Sequence, residues 1–149
     1  MLCDNLCDKS DKRDLLKSID GDEDIRKVYG FHAGDWLLDH GCCIDARNQA
    51  GQTALHVCVQ CDELKNLKFL LNRGADMSCV DNEGNSVLHY AVERFQAEAV
   101  DTLLESGAVD SKNNDGITAF DLAFSKMNLY LDEDNMSKCC EIINLLSDH

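Results

Sequence analysis

A chain of 149 residues is long enough for one domain with a continuous core, and its net charge of −14 weighs against nucleic acid and anionic membranes as partners. No apolar run approaches the ~20 residues needed to span a bilayer, and the charged N-terminal stretch has no signal-peptide pattern. The nine cysteines are odd in number and fall mostly where small apolar residues belong, so they read as reduced thiols of a cytoplasmic or nuclear protein.

Residues 1–10 read as a flexible segment. Asp14–Ile19 has the pattern of a first helix, and Phe31, Gly34, Leu37 and Leu38 share the face of a second. Two markers then repeat. The stretch Gly51-Gln52-Thr53-Ala54-Leu55-His56 recurs as Gly84-Asn85-Ser86-Val87-Leu88-His89, and in worn form as Gly116-Ile117-Thr118-Ala119-Phe120-Asp121. A Leu-Leu-x-x-Gly marker ends at Gly41, Gly74 and Gly107, a period of 33. A fixed period in this range signals a stacked repeat.

Each repeat has room for two short helices and a turn. Leu64, Leu67, Leu70 and Leu71 fall on one helical face, as do Ala97, Val100, Leu103 and Leu104, and then Cys139, Ile142, Leu145 and Leu146. The glycine after each Leu-Leu pair reads as a C-terminal cap, where a left-handed backbone is needed. A small residue recurs in the first helix at Cys58, Ala91 and Ala123, allowing neighbouring helices to approach closely.

The Thr-Ala-Leu-His and Ser-Val-Leu-His tetrads, with Gly74-Ala75-Asp76, resemble the ankyrin repeat. That resemblance implies an all-α solenoid of about four helix-turn-helix repeats with divergent terminal caps, over residues 11–149. The expected units are an N-cap repeat at 11–50 with about seven extra residues around Val28–His32, regular repeats at 51–83 and 84–115, and a C-cap repeat at 116–149. The last unit carries about ten extra residues between Ala123 and Cys139, read as a long loop containing Asp132-Glu133-Asp134. Two departures stand out. Ala54, Val87 and Ala119 replace the helix-starting proline, and Asp62 and Phe95 stand where the family has an inter-helix glycine. Asp tolerates the left-handed backbone there better than Phe.

Chemistry-bearing residues fall into the scaffold. Cys58-Val59-Gln60-Cys61 has a zinc-like spacing that Cys3 and Cys7 would complete, but Cys58 sits at the buried small-residue position. His56 and His89 occupy matching positions, and in the family that histidine bonds the tetrad hydroxyl, here Thr53 or Ser86, and ties one repeat to the next. Asp81-Asn82-Glu83-Gly84 and Asn113-Asn114-Asp115-Gly116 lack the ligand run of a calcium loop and read as tight turns. The expectation is therefore no catalytic residues, no metal and no cofactor.

What the resemblance implies instead is recognition of a protein by finger tips and first-helix surfaces. Carried over by position, these are Arg47, Gln49, Gln52, Gln60 and Cys61 in repeat two. Repeat three supplies Asn82, Glu83, Asn85, Glu93 and Arg94, and repeat four Asn114, Asp115, Ile117, Ser125 and Lys126. The acid excess, clustered at Asp20–Asp24 and Asp132–Asp134, serves solubility and also favours a partner with a basic surface. The expected role is a stand-alone competitive inhibitor, monomeric when free. It would sequester a signalling protein such as a Rel/NF-kappa-B-type transcription factor, in the manner of small viral-type ankyrin proteins similar to the inhibitor-of-kappa-B family. The alternatives are an adaptor presenting a client to a ubiquitin ligase or kinase complex, and an ankyrin-type inhibitor of cyclin-dependent kinases.

Overall fold

The computed structural model describes residues 43–129 and 132–149. The flexible segment expected at 1–10, the helix at Asp14–Ile19, the face around Phe31–Leu38 and the insertion at Val28–His32 lie outside the described residues. Backbone contacts divide the chain into two compact units, Met1–Ala75 and Asp76–His149. All regular structure among the described residues is helical.

The first unit contains α1 (Ala54–Gln60) and α2 (Leu64–Asn72), packed against each other. Thr53 starts α1 with a reciprocal capping box: its side chain accepts from the His56 backbone N–H, and the Thr53 N–H donates to His56 Nδ1 at 3.2 Å. Two of the donors that a helix start leaves unpaired are thereby satisfied without the family's proline. Leu55, Cys58, Val59, Leu67 and Leu70 are all at most 2% exposed, the first and second helices each contributing one apolar face.

The second unit contains α3 (Val87–Glu93), α4 (Ala97–Glu105), α5 (Ala119–Leu129) and α6 (Glu133–Ser147). α3 packs on α4 and α5, and α6 packs on α4 and α5. The core is the set that the 33-residue beat selects: Leu88, Ala91, Val92, Val100, Leu103, Ala119, Ala123, Cys139 and Ile142 are at most 1% exposed.

In repeats two and three the turns between and after the helices use one device. After α2 the Ala75 N–H reaches the Leu70 carbonyl at 3.0 Å and the Gly74 N–H reaches Leu71 at 3.0 Å; after α4 the same pair links Ala108 to Leu103 and Gly107 to Leu104. This is the Schellman closure, and Gly74 and Gly107 take its left-handed position with φ of 86° and 94°. The turns after α1 and α3 close identically, yet the residues at φ 60° and 55° are Asp62 and Phe95. Phe95 is the costly case, since a Cβ in that region opposes the next carbonyl.

Repeat four differs from its expected form. The extra residues between Ala123 and Cys139 do not make a long loop; they lengthen α5 to 11 residues and α6 to 15, against 7 and 9 in the preceding repeat. Asp132 is the N-cap of α6, and Glu133 and Asp134 lie in its first turn. Carboxylates there oppose the positive end of the helix dipole, so this acidic run starts a helix rather than decorating a loop. At the start of α5 the Asp110 carboxylate accepts from the backbone N–H groups of Ala119 and Phe120, at 2.8 and 3.0 Å.

Candidate protein-binding surface

The finger loops are built by one side chain per repeat. In the first unit the Asn48 carboxamide oxygen accepts from the N–H groups of Ala50 and Gln52, at 3.0 and 2.9 Å. Asp81 Oδ1 does the same for Glu83 and Asn85 at 2.9 and 2.8 Å, and Asn113 for Asp115 and Ile117 at 3.0 Å each. A backbone bond closes each loop from below, from the N–H of Asn48 to Gln52, of Asp81 to Asn85 and of Asn113 to Ile117. These three residues set the finger geometry, and none of them belongs to the surface set carried over from the family. The signal was legible: each stands three residues before the glycine of the repeated stretch, and Asx side chains favour such turns.

In the first unit Arg47, Gln49, Gln60 and Cys61 are exposed and Gln52 is half-buried. Amide groups link the finger to α1: Asn48 Nδ2 donates to Gln52 Oε1 at 2.9 Å, and Gln52 Nε2 to Gln60 Oε1 at 3.4 Å. Gln52 and Gln60 are thereby brought together at one site.

In the second unit the two fingers are bonded to each other. The Asn114 N–H donates to the Glu83 carbonyl at 3.0 Å, Asn114 Nδ2 to the Asn82 carbonyl at 3.1 Å, and Asn113 Nδ2 to Asn85 Oδ1 at 2.9 Å. Gly84 makes this closeness possible. A Cβ on it would stand 2.6 Å from Asn114 Oδ1 and 2.8 Å from Asn114 N, and its φ is 79°. Asn82, Asn85 and Asn114 thus stiffen the tips, while Glu83, Asp115 and Ile117 project beside them.

His89 carries the tether from helix to finger. Its Nδ1 accepts from the Ser86 N–H at 3.2 Å, which leaves the proton on Nε2, and Nε2 donates to the Ile117 carbonyl at 2.9 Å. The ring is 2% exposed. In repeat four Asp121 takes the histidine's place and keeps the box, with Thr118 N–H donating to Asp121 Oδ2 at 3.1 Å and Asp121 N–H to Thr118 Oγ1 at 3.0 Å. The bonds from the Thr118 backbone and then its hydroxyl hold the Asp121 carboxyl below its ordinary value.

One expected surface residue is not on the surface. Lys126 is 8% exposed; its ammonium is 3.3 Å from Glu93 Oε1 and 5.0 Å from the centre of the Phe95 ring. Charge pairing and the ring face together draw the lysine inward. Its long stem packs where the aligned Arg94 and Cys61 stay exposed. Glu93 remains largely exposed on its outer side, and Arg94 and Ser125 are exposed.

Among the described residues no three His, Cys, Asp or Glu side chains converge to hold a metal ion. Cys58 is buried and Cys61 exposed, so the Cys-x-x-Cys pair is split between core and surface. Burial, and then the neighbouring Cys140, push the Cys139 thiol up, away from the nucleophilic thiolate. An open groove of about 320 Å³ beside Gly107 and Val109 offers one titratable side chain, Asp76, whose Oδ1 accepts from the Ser78 N–H and hydroxyl.

Helix pairs on a fixed beat, capped by Thr/Ser-His boxes and joined by Asx-built fingers, define a repeat scaffold for binding other proteins. The sequence matches the family described as "Ankyrin repeats (3 copies)" over residues 28–81 and 66–147, and the chain belongs to that family. Its fold is the all-α ankyrin-repeat solenoid, a protein–protein interaction module. Similar proteins include a putative ankyrin repeat protein of Acanthamoeba polyphaga mimivirus, 41% identical over 66 residues, which are 44% of this chain and 16% of that protein. The nuclear factor NF-kappa-B p105 subunit of Gallus gallus is 29% identical over 96 residues, 62% of this chain and 10% of the subunit. A putative ankyrin repeat protein of fowlpox virus is 32% identical over 120 residues, 76% of this chain and 32% of the viral protein. The chain thus spans at most about a third of the length of these relatives. No helix among the described residues is long and apolar enough to cross a membrane.

Proposed function

We propose that this chain binds the basic segment of a signalling protein through its fingers and first helices and competes with that protein's other partners. The carrying observation is where the charge lies. Residues 76–149 hold fifteen acidic and four basic side chains, whereas residues 43–75 hold three and four. One of the four bases in the second unit, Lys126, is already paired with Glu93. The fingers there present Glu83 and Asp115 on a hydrogen-bonded frame, so little ordering entropy opposes docking. A Rel-type transcription factor is the candidate partner, supported by the likeness to the NF-kappa-B p105 subunits of chicken and rat, the latter 32% identical over 90 residues.

The test is a titration of the full chain with a purified Rel-type dimer and with a peptide of its basic segment, at low and high salt. Binding that weakens about tenfold in the Glu83→Lys, Asp115→Lys variant, and weakens with salt, supports the reading. Binding indifferent to both, or none, refutes it. A second reading, an adaptor that delivers a client to a ligase, has support in the likeness to the E3 ubiquitin-protein ligase KEG of Arabidopsis thaliana, 31% identical over 96 residues. Co-purification of a ligase complex with the chain, in place of a single client, would favour it.

A further inference from the structure

The α5–α6 pair exposes an apolar face that neither the fingers nor the first-helix surface uses. Phe120, Phe124 and Met127 follow one another at helical spacing along α5, and Met136, Cys140 and Ile143 do so along α6. The two rows meet, since Cys140 Sγ lies 3.9 Å from Met127 Sδ. On α6 this row is separate from the buried one, Cys139 and Ile142. Phe124 is 51% exposed and Met136 39%, and Cys140 is exposed.

The repeat register says what kind of object fits there. Val92 is the residue of repeat three that corresponds to Phe124; it is 1% exposed, in a repeat on which the next helix pair, α5–α6, packs through both of its helices. In repeat four the same position carries a larger side chain and is half open. The face therefore continues an established helix-on-helix interface, and a helix is its natural occupant. The rim sets the charge of that helix. Glu133, Asp121 and Glu141 are exposed beside the rows, with Lys138 the one exposed base on α6. A second copy of this chain would bring another −14, and residues 1–42 hold ten acids to six bases, so both would meet repulsion. Two methionines and a thiol give the face soft, adaptable groups suited to side chains of varied shape.

We infer that the exposed α5–α6 face docks an amphipathic helix of a partner protein, its apolar stripe on Phe124, Met127 and Met136 and its flanking lysines or arginines on the acidic rim. This surface is distinct from the fingers, so it stands or falls apart from the function proposed above.

The chain's four methionines, Met1, Met77, Met127 and Met136, make the test direct. The full chain labelled with ¹³C at the methionine methyls is titrated with a leucine–lysine peptide of about 18 residues, or five helical turns. Two controls share its length: a scrambled peptide of the same composition and a leucine–glutamate version. Saturable shifts of Met127 and Met136, with Met77 still, support the inference when neither control reproduces them. Phe124→Ser and Met136→Ser, both at exposed positions, should each weaken the interaction about tenfold or more while the far-UV spectrum is unchanged. Four results overturn the inference: no shift, equal shifts with the scrambled peptide, movement of Met77 alone, or variants that bind as well as the parent. So does protection of the Met127 and Met136 methyls from a soluble paramagnetic agent in the free chain. Protection at all concentrations would assign the face to this chain's own residues, and protection only at high concentration to a second copy.

Discussion

Replacing His89 by Ala tests whether the repeated histidine is scaffold. The ring is 2% exposed and makes two kinds of contact that alanine cannot. Its Nδ1 is the acceptor for the Ser86 N–H, and Ser86 is itself 4% exposed, so the variant leaves that donor buried and unpaired at about 1–3 kcal/mol. Loss of the Nε2–H bond to the Ile117 carbonyl, 28 residues away, adds about 0.5–1.5 kcal/mol, and the void left by the ring about 1 kcal/mol more. The sum, about 2.5–5.5 kcal/mol, is a large part of the ~5–15 kcal/mol that holds a domain of this size together. Urea unfolding followed by circular dichroism measures it, with the slope unchanged if the transition stays cooperative. A loss below about 1 kcal/mol would refute the tether and return His89 to the list of candidate functional groups. Amide exchange adds a local reading: the finger at Asp115 and Ile117 should exchange faster in the variant, because its anchor to α3 is gone.

Four further outcomes follow from the geometry. Gly84→Ala should cost more than about 1 kcal/mol by urea unfolding, because its Cβ meets Asn114 and its backbone is left-handed; Gly116→Ala, whose Cβ meets nothing, should cost less. Phe95→Ala should be less stable than Phe95→Gly by about 1 kcal/mol, since both lose the ring over Lys126 but only glycine relieves the backbone at φ 55°. Among the described cysteines, timed alkylation read by mass spectrometry should modify the exposed Cys61 and Cys140 before the buried Cys139, as exposure and its raised pKa dictate. Asp121 is held below its unfolded pKa, so its contribution is present above that value and is lost as pH falls through the folded one. Asp121→Asn should remove that component from the acid limb of a stability–pH curve and leave neutral pH less affected than His89→Ala does.

The period, the two helices per repeat and the core were legible in the sequence because stacking imposes one chemistry on every copy. Leu67, Val100 and Ile142 had to be apolar at one phase, and Gly74 and Gly107 had to accept a left-handed backbone whatever surrounds them. Repeat four was harder to read. An insertion inside a repeat can become a loop or extra helical turns, and only packing decides. The acids Asp132-Glu133-Asp134 resemble solvated loop until one sees that a helix starts beneath them, where carboxylates are favoured.

The candidate surface was legible as a region and misleading at single residues, and Lys126 shows why. Position in the repeat places it with Arg94 and Cys61, both exposed, and nothing in its own neighbourhood along the chain predicts burial. The cause lies 33 residues away at Glu93, joined to a phenylalanine that occupies the family's glycine position. Phe95 looks like a defect in the repeat when read locally, a bulky residue in a strained backbone. Seen with Lys126 it is half of an intramolecular cation site whose other half is Glu93. The strain and the buried charge are therefore linked features, each explaining the other. The same coupling subtracts one positive charge from the second unit's surface and engages one oxygen of Glu93, while Glu83 and Asp115 stay exposed at the finger tips. A variable position in a repeat protein is free to serve a partner only after the scaffold has made its own use of it, and that prior use is written between repeats.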